Sequence, residues 1–222
     1  MNRFEATSVE GFVQQLAVGY VQHGHHFYVS GLIPASKGAG AVDAKFMEVY
    51  GVGISKWTRA RGKVRGRASV RYIRHGRFFV LIATKGKHEF FEREGGVRDI
   101  RRHPIRYAGY SISYRRGVDR RWHVSVRIAA DEYLRLKSYL VGLATHRSVE
   151  ALVAEFSHIA YEPYAPVKRQ LFNILRAVNR ARHVAGFEPV PVSALRLRRR
   201  IVKPFGVEDG REVEALAETE AA

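Results

Sequence analysis

Residues 55–84 read SKWTRARGKVRGRASVRYIRHGRFFVLIAT, and they divide into two parts that make opposite demands on solvent. Up to Arg77 the stretch holds nine basic residues (Lys56, Arg59, Arg61, Lys63, Arg65, Arg67, Arg71, Arg74 and Arg77) and no acid. Like charges at that density repel one another unless they are solvated or neutralised, so this part belongs on a surface. From Phe78 to Ala83 every residue is apolar, the pattern of a strand buried on both faces. Ser69–Ile73 and Phe78–Ala83, separated by the turn residues His75-Gly76, predict a β-hairpin. A dense cationic segment thus feeds directly into the core. Ser55 to Arg67 is expected to be either a helix with Ser55 as N-cap or a loop that orders on its ligand. Gly62 and Gly66 each weaken the helix by about 1 kcal/mol relative to Ala.

Working outward, Thr7-Ser8-Val9-Glu10 has the form of a capping box. Val9, Phe12, Val13, Leu16 and Tyr20 follow at helical spacing, which predicts a helix from about Ser8 to Gln22 that ends near Gly24. His26–Ile33 predicts a strand, Pro34–Ala41 a loop and Val42–Tyr50 a short helix. Tyr107–Tyr114 and Trp122–Ile128 predict a second hairpin. Asp131–Thr145, Ser148–Ile159 and Val167–Val184 then predict three consecutive helices. The last of these has an apolar face of Val167, Leu171, Ile174, Leu175, Val178 and Ala181. Lys168, Arg169, Arg176, Arg180 and Arg182 are assigned to its polar face. Ala194–Lys203 is a second basic cluster in extended alternation. One helix, a mainly antiparallel β middle with two hairpins, and a helical end make the class α+β. The expected organisation is a single basic domain over residues 1–205, β-rich from 25 to 128 and helical from 130 to 186, followed by an acidic disordered tail at 206–222.

Composition narrows the partners. The chain has 222 residues, no cysteine and a net charge of +17. Disulfides, thiolate metal sites and a cysteine nucleophile are excluded. Val207 to Ala222 hold six acids and one base, so the rest of the chain carries +22. That excess opposes compaction, and a polyanionic partner relieves it. No apolar run approaches the roughly 20 residues that span a bilayer, so no membrane association is expected. The N-terminal MNRFEATSVEGF lacks an apolar leader region, and a cytoplasmic location with nucleoid or ribonucleoprotein association is expected.

Lys and Arg neutralise phosphates and release condensed counterions, which gives affinity without base readout. The predicted nucleic-acid-binding set is Lys56, Trp57, Arg59, Arg61, Lys63, Arg65, Arg67, Arg71, Arg74 and Arg77, extended by Arg176, Arg180, Arg198, Arg199 and Arg200. Trp57, Tyr72 and Phe78 lie among these charges, either as core residues or as rings for unpaired bases.

Three constellations point instead to catalysis. His23-Gly24-His25-His26 resembles the paired-histidine motif of the HUH single-strand nucleases of rolling-circle replication, with Gly24 where that family has a bulky hydrophobe. The resemblance covers three residues and implies His23 and His25 as ligands of Mg²⁺ or Mn²⁺, with Tyr133 or Tyr139 as nucleophile. His103-Pro104-Ile105-Arg106 superficially resembles the His-x-x-Arg element of tyrosine recombinases. Asp43-Ala44-Lys45 resembles the Asp-x-Lys element of restriction-type nucleases, which implies Asp43 as a metal-holding carboxylate and Lys45 as the group that orients water. Glu89, Glu92, Glu94 and Asp99 form an acidic island in a basic region. No phosphate-binding loop of the Walker type is present. The expected function is nucleic-acid binding within a larger DNA or RNA system such as a mobile element or ribonucleoprotein. The alternatives are a metal-dependent nuclease or transposase-like enzyme acting on single-stranded DNA, and a basic subunit that meets a protein partner.

Overall fold

The computed structural model describes residues 4–205; the acidic segment at 206–222 lies outside the described residues. The class is α+β: an N-terminal helix, antiparallel sheets in the middle and helices at the end. Ser8 caps α1 (Val9–Gln14), its Oγ accepting the Gly11 amide at 3.1 Å. The helix then widens into a π-helical turn, Gln15–Tyr20, and tightens into a 3₁₀ turn, Val21–His23. Gly24 ends it at φ +89°, a conformation that costs glycine nothing.

Strands β1 (Phe27–Leu32), β2 (Val70–His75), β3 (Phe78–Ala83) and the two-residue β4 (Arg98–Asp99) form one sheet, in the order β2-β3-β1-β4. The hairpin predicted at His75-Gly76 is present, with Val70 opposite Ala83 and His75 opposite Phe78. Both faces of this sheet are covered, which explains the unbroken apolar run of β3. Ile73, Val80 and Ile82 face α1 and the second sheet. Val70, Tyr72, Leu81 and Ala83 face Tyr50 of α2 (Ala39–Tyr50) and Phe90 of α4 (Phe90–Arg93). Between α2 and β2 runs α3 (Lys56–Val64), in which no residue is buried.

The second sheet is β5-β6-β7 (Ile105–Tyr107, Tyr110–Arg116, Trp122–Ile128), antiparallel throughout. Ile105, Tyr110, Ile112 and Val126 complete the core shared with α1. At the edge strand β7, Gln170 of α7 (Ala165–Val184) accepts from the Ile128 amide at 2.9 Å and donates to its carbonyl at 3.0 Å. Helices α5 (Ala130–Leu143), α6 (Val149–Ser157) and α7 enclose a further core of Leu140, Leu152, Phe156, Leu171, Ile174, Leu175 and Val178. Tyr161 and Tyr164 pack against both this core and the first one. Beyond α7 the chain returns in extended form along α1. Gln14 clasps the Val202 backbone, and the Thr7 amide donates to the Pro204 carbonyl at 3.0 Å.

Two assignments of charge change. Arg182 was expected on the polar face of α7 but is buried. Its guanidinium donates to the carbonyls of Ala144 (2.7 Å), Arg147 (2.9 Å) and Glu188 (2.5 Å), satisfying the C-terminal end of α5 and the turn after α7. Arg74 is also internal, at 5% exposure. Its Nε faces both oxygens of Asp43 (3.0 and 3.1 Å), Nη1 and Nη2 reach Glu5 at 2.7 Å, and Nη1 also reaches the Gly76 carbonyl at 3.0 Å. Tyr72 donates to Asp43 at 2.6 Å, so burial and that carboxylate together push the Tyr72 phenol far above its ordinary pKa. The Arg74 backbone exchanges bonds of 2.7 Å with Phe4 and Ala6, laying the N-terminal segment along the β2 edge.

Replacing Arg74 by Ala removes the charge that neutralises a buried carboxylate. The expected loss is about 3–5 kcal/mol in urea unfolding, against about 1 kcal/mol for Glu5→Ala, whose side chain is partly in water. Equal, small losses for both would show that the network does not hold these elements together.

Candidate functional site

The cationic stretch of residues 55–67 forms a helix rather than a loop. Ser55 caps α3, its Oγ accepting the Thr58 amide at 3.2 Å. Lys56, Arg59, Arg61 and Lys63 lie on the helix, and Arg65 and Arg67 follow it directly. At the C-terminal end the Arg67 amide returns to the Gly62 carbonyl at 3.0 Å. The following segment then crosses residues 85–87: Lys87 donates to the Gly66 carbonyl at 3.0 Å, and Ala68 donates to the Lys87 carbonyl at 3.1 Å. Gly86 permits the crossing. It sits at φ +146°, and a Cβ there would lie 2.6 Å from the Ala68 nitrogen. The pinning brings exposed Lys85 and Lys87 to the same end of α3, two cations the sequence reading did not include.

At the other end of α3 lies a cleft of about 380 Å³. Lys56, Arg59 and Arg71 line it, with Gln15 and Tyr20 from the π-helical turn, and no carboxylate is among its lining residues. Phe4, Tyr72 and Phe205 supply aromatic wall. The Arg71 guanidinium lies 5.8 Å from the Tyr20 ring centroid, a cation–π arrangement. Its Nε is shielded from solvent and has no hydrogen-bond partner among the described residues. Arg59 donates to the Ile54 carbonyl. Burial, together with the Arg71 charge, lowers the Arg59 pKa from its ordinary value. Two guanidiniums and an ammonium therefore converge where an anion would relieve their repulsion. The Tyr20 hydroxyl is pushed up by burial, so it stays protonated and is a neutral hydrogen-bond partner.

In the sequence, Gln15 and Tyr20 carry only the signal of helix residues. A single-sequence pattern gives no warning of a π-turn, although such turns are enriched at functional sites. Gly19 is the one signal available. A Cβ there would meet the Gln15 amide at 2.7 Å, so the glycine leaves the path along which that side chain folds back over the helix.

The remaining cations separate by role. Arg74 is held in the buried network. Arg77 donates to the carbonyls of Ile33 (2.8 Å), Pro34 and Lys37 (3.1 Å), which ties down the loop before α2. Arg176 and Arg180 line a second groove, about 830 Å³ between α5 and α7, together with Lys137, Asn173 and Tyr133, again with no acid among the lining residues. Arg198, Arg199 and Arg200 are exposed on the returning segment, Arg199 lying 4.9 Å from the Tyr164 ring centroid. Of the aromatics in the first cluster, Tyr72 is core and Phe78 stacks on Tyr107 at 4.4 Å. Trp57 is 78% exposed.

The catalytic constellations do not assemble. Asp43 is 3% exposed and bound to Arg74 and Tyr72, whereas Lys45 is exposed two residues along the same helix, where side chains do not face one another. Of the acidic island, Glu89 pairs with Arg93 at 2.8 Å, Glu94 accepts from Tyr50, and Asp99 pairs with Arg101 at 2.6 Å. Ile105–Tyr107 is a strand, so His103 and Arg106 do not share a helix. His23 is exposed on the 3₁₀ turn and His25 is buried after Gly24, so the period-two argument for a pair on one strand does not apply. Among the described residues, no three His, Asp or Glu side chains come together as a metal-binding group. Tyr133 lies beside Arg176 and Arg180, and Tyr139 donates to Glu155 at 3.1 Å.

His25 acts as a core histidine. Its Nδ1 donates to the Tyr20 carbonyl at 3.1 Å, holding the end of the π-turn, and Nε2 is buried without a partner among the described residues. Burial lowers its pKa to about 4, with Arg71, His23 and His26 acting in the same direction. The unfolded chain therefore takes up this proton first, near pH 6.5, and stability falls as pH drops from about 6.5 towards 4. His25→Gln is expected to make the loss between pH 7 and 4.5 smaller by about 2 kcal/mol, read from urea midpoints at each pH. Parallel curves for the two proteins would contradict the assignment. Comparison with protein-family models, with curated proteins and with solved structures finds no match for this chain.

Proposed function

We propose that this chain binds nucleic acid through the exposed cations of α3 and the acid-free cleft at its N-terminal end. The observation that carries the reading is the convergence of Lys56, Arg59 and Arg71 with no carboxylate among the lining residues. Other cations of the chain are neutralised within it: Arg74 with Asp43 and Glu5, Arg101 with Asp99, Arg196 with Glu162. Cations left facing one another in a concave site favour a ligand whose negative charges are spaced and permanent, and a phosphodiester backbone is such a ligand. The exposed side chains Arg61, Lys63, Arg65, Arg67, Lys85 and Lys87 extend the positive surface beyond the cleft.

In this reading α3 serves as a rail for phosphates and the cleft as its fixed end. Arg71, half-buried on a sheet strand, sets the register, while the helical cations adapt to the path of the backbone. Trp57, exposed between Lys56 and Arg59, is available to a base beside that path. No helix among the described residues is long and apolar enough to cross a membrane.

The direct test is purification without nuclease, followed by DNase or RNase digestion of any nucleic acid that co-elutes. A defined species is expected. Protein that elutes clean at about physiological salt, and that fails to retain added DNA or RNA, would overturn the reading. The triple substitution Lys56→Ala, Arg59→Ala, Arg61→Ala is expected to leave the thermal midpoint nearly unchanged, since α3 buries nothing. It should reduce the slope of log affinity against log salt by about 2. Asp43→Asn offers the contrast, because its effect should be on stability rather than on that slope.

A further inference from the structure

The chain has two tryptophans, and neither is buried: Trp57 is 78% exposed and Trp122 is 47% exposed. Indole is a large apolar surface that is highly buried on average, so leaving both in water calls for a reason. For Trp122 the surroundings supply one. Trp122 opens β7 and stacks on Tyr114 of β6, with ring centroids 5.6 Å apart and planes 14° from parallel. Tyr114 stacks in turn on His26, at 4.4 Å and 27°. His26 lies immediately before β1, so this three-ring ladder runs from the first sheet across the second and ends in a half-exposed indole. The indole is thus held parallel to the ladder before any ligand arrives, and little rotamer freedom is lost when something lands on it.

The charges around it fit the same ligand. Arg116 is paired with Trp122 across the hairpin and shares its face, whereas Arg115, paired with His123, lies on the opposite face and donates to Ser113 at 2.9 Å. Arg120 and Arg121 lie in the adjoining turn, and the one acid within residues 115–123 is Asp119. That acid is occupied: the His123 Nε2 lies 2.8 Å from it and the Arg121 amide donates to it at 3.1 Å. An oriented flat ring beside Arg116 and an arginine-rich turn suits a planar base attached to phosphates. An indole can take a base face-on only when that base is free of its own stacking neighbours.

We propose that Trp122 is a stacking platform for an unpaired base, so that the ligand of this chain is single-stranded nucleic acid. The proposal rests on the nucleic-acid reading above and adds to it the state of the strand. It places a contact on the second sheet, apart from α3 and its cleft.

Because Trp57→Phe leaves Trp122 as the sole indole, the emission of that variant reports on the platform alone. It should be titrated with oligothymidylate and oligouridylate of about 12 nucleotides, with a blunt duplex of similar length, and with inorganic polyphosphate. Binding is followed in parallel by anisotropy for the labelled oligonucleotides and the duplex. Quenching that saturates with anisotropy for the single strands, and not with duplex or polyphosphate, is the expected result. The stronger of the two single strands distinguishes DNA from RNA. Trp122→Ala should weaken single-strand binding by about 10-fold while duplex binding stays the same, and Trp122→Phe should restore most of the loss. Anisotropy showing tight single-strand binding with no change in Trp122 emission overturns the platform and leaves the nucleic-acid reading intact. No binding of any strand to the unsubstituted chain, measured by anisotropy, overturns both.

Discussion

Arg74 holds the molecule together at the point where its charge is densest. A guanidinium out of water is costly unless its donors are met, and here one arginine meets Asp43 of α2, Glu5 of the N-terminal segment and the Gly76 carbonyl of the hairpin turn. Each of those partners positions something else. Glu5 and the adjacent backbone bonds lay residues 4–6 along β2, covering a sheet edge that would otherwise present unpaired amides. Phe4 is thereby set into the wall of the cleft. Asp43 fixes α2 on the sheet, and α2 in turn fixes where residues 51–55 deliver the start of α3. The most basic region of the chain is thus organised around a deeply neutralised cation.

Much of this fold was legible in the residues, and the parts that were not have definite physical causes. The hairpin at His75-Gly76, the second hairpin and the three helices at the end follow from period, turn residues and caps. Alternation along β2 could not sort its arginines, because both faces of that strand are covered: Arg71 and Arg74 lie on opposite faces, and each meets protein. Arg182 stands four residues beyond Val178 on the same helical stripe, so its position points inward although its charge points to solvent. The short strands β4 and β5 carry too few residues for a periodic signal. Of the candidate site, α3 was visible from its charge and Ser55. The cleft was not, because Gln15, Tyr20 and Phe4 come from segments distant in sequence and are brought there by a π-turn and an ion-pair network.

The distribution of satisfied and unsatisfied charge separates architecture from recognition in this molecule. Arg74 and Arg182 inside the protein, and Arg77 at its surface, are bonded to the chain's own carbonyls and carboxylates and so behave as structural donors. Lys56, Arg59, Arg71, Arg176 and Arg180 share concave surfaces with no acid. The same residue type therefore does two jobs, and composition alone could not apportion them.

Helix α3 has no side chain in the core and is secured at its two ends, by the Ser55 cap and cleft on one side and by the crossing at Gly86 on the other. Its sequence is consequently free of the packing constraint that governs the other α-helices among the described residues. Substitutions along it redraw the outward surface without disturbing the scaffold, so the helix is a replaceable cassette. A lineage carrying this fold could retarget it by editing nine consecutive residues, with the sheets, the cores and the Arg74 network left as they are.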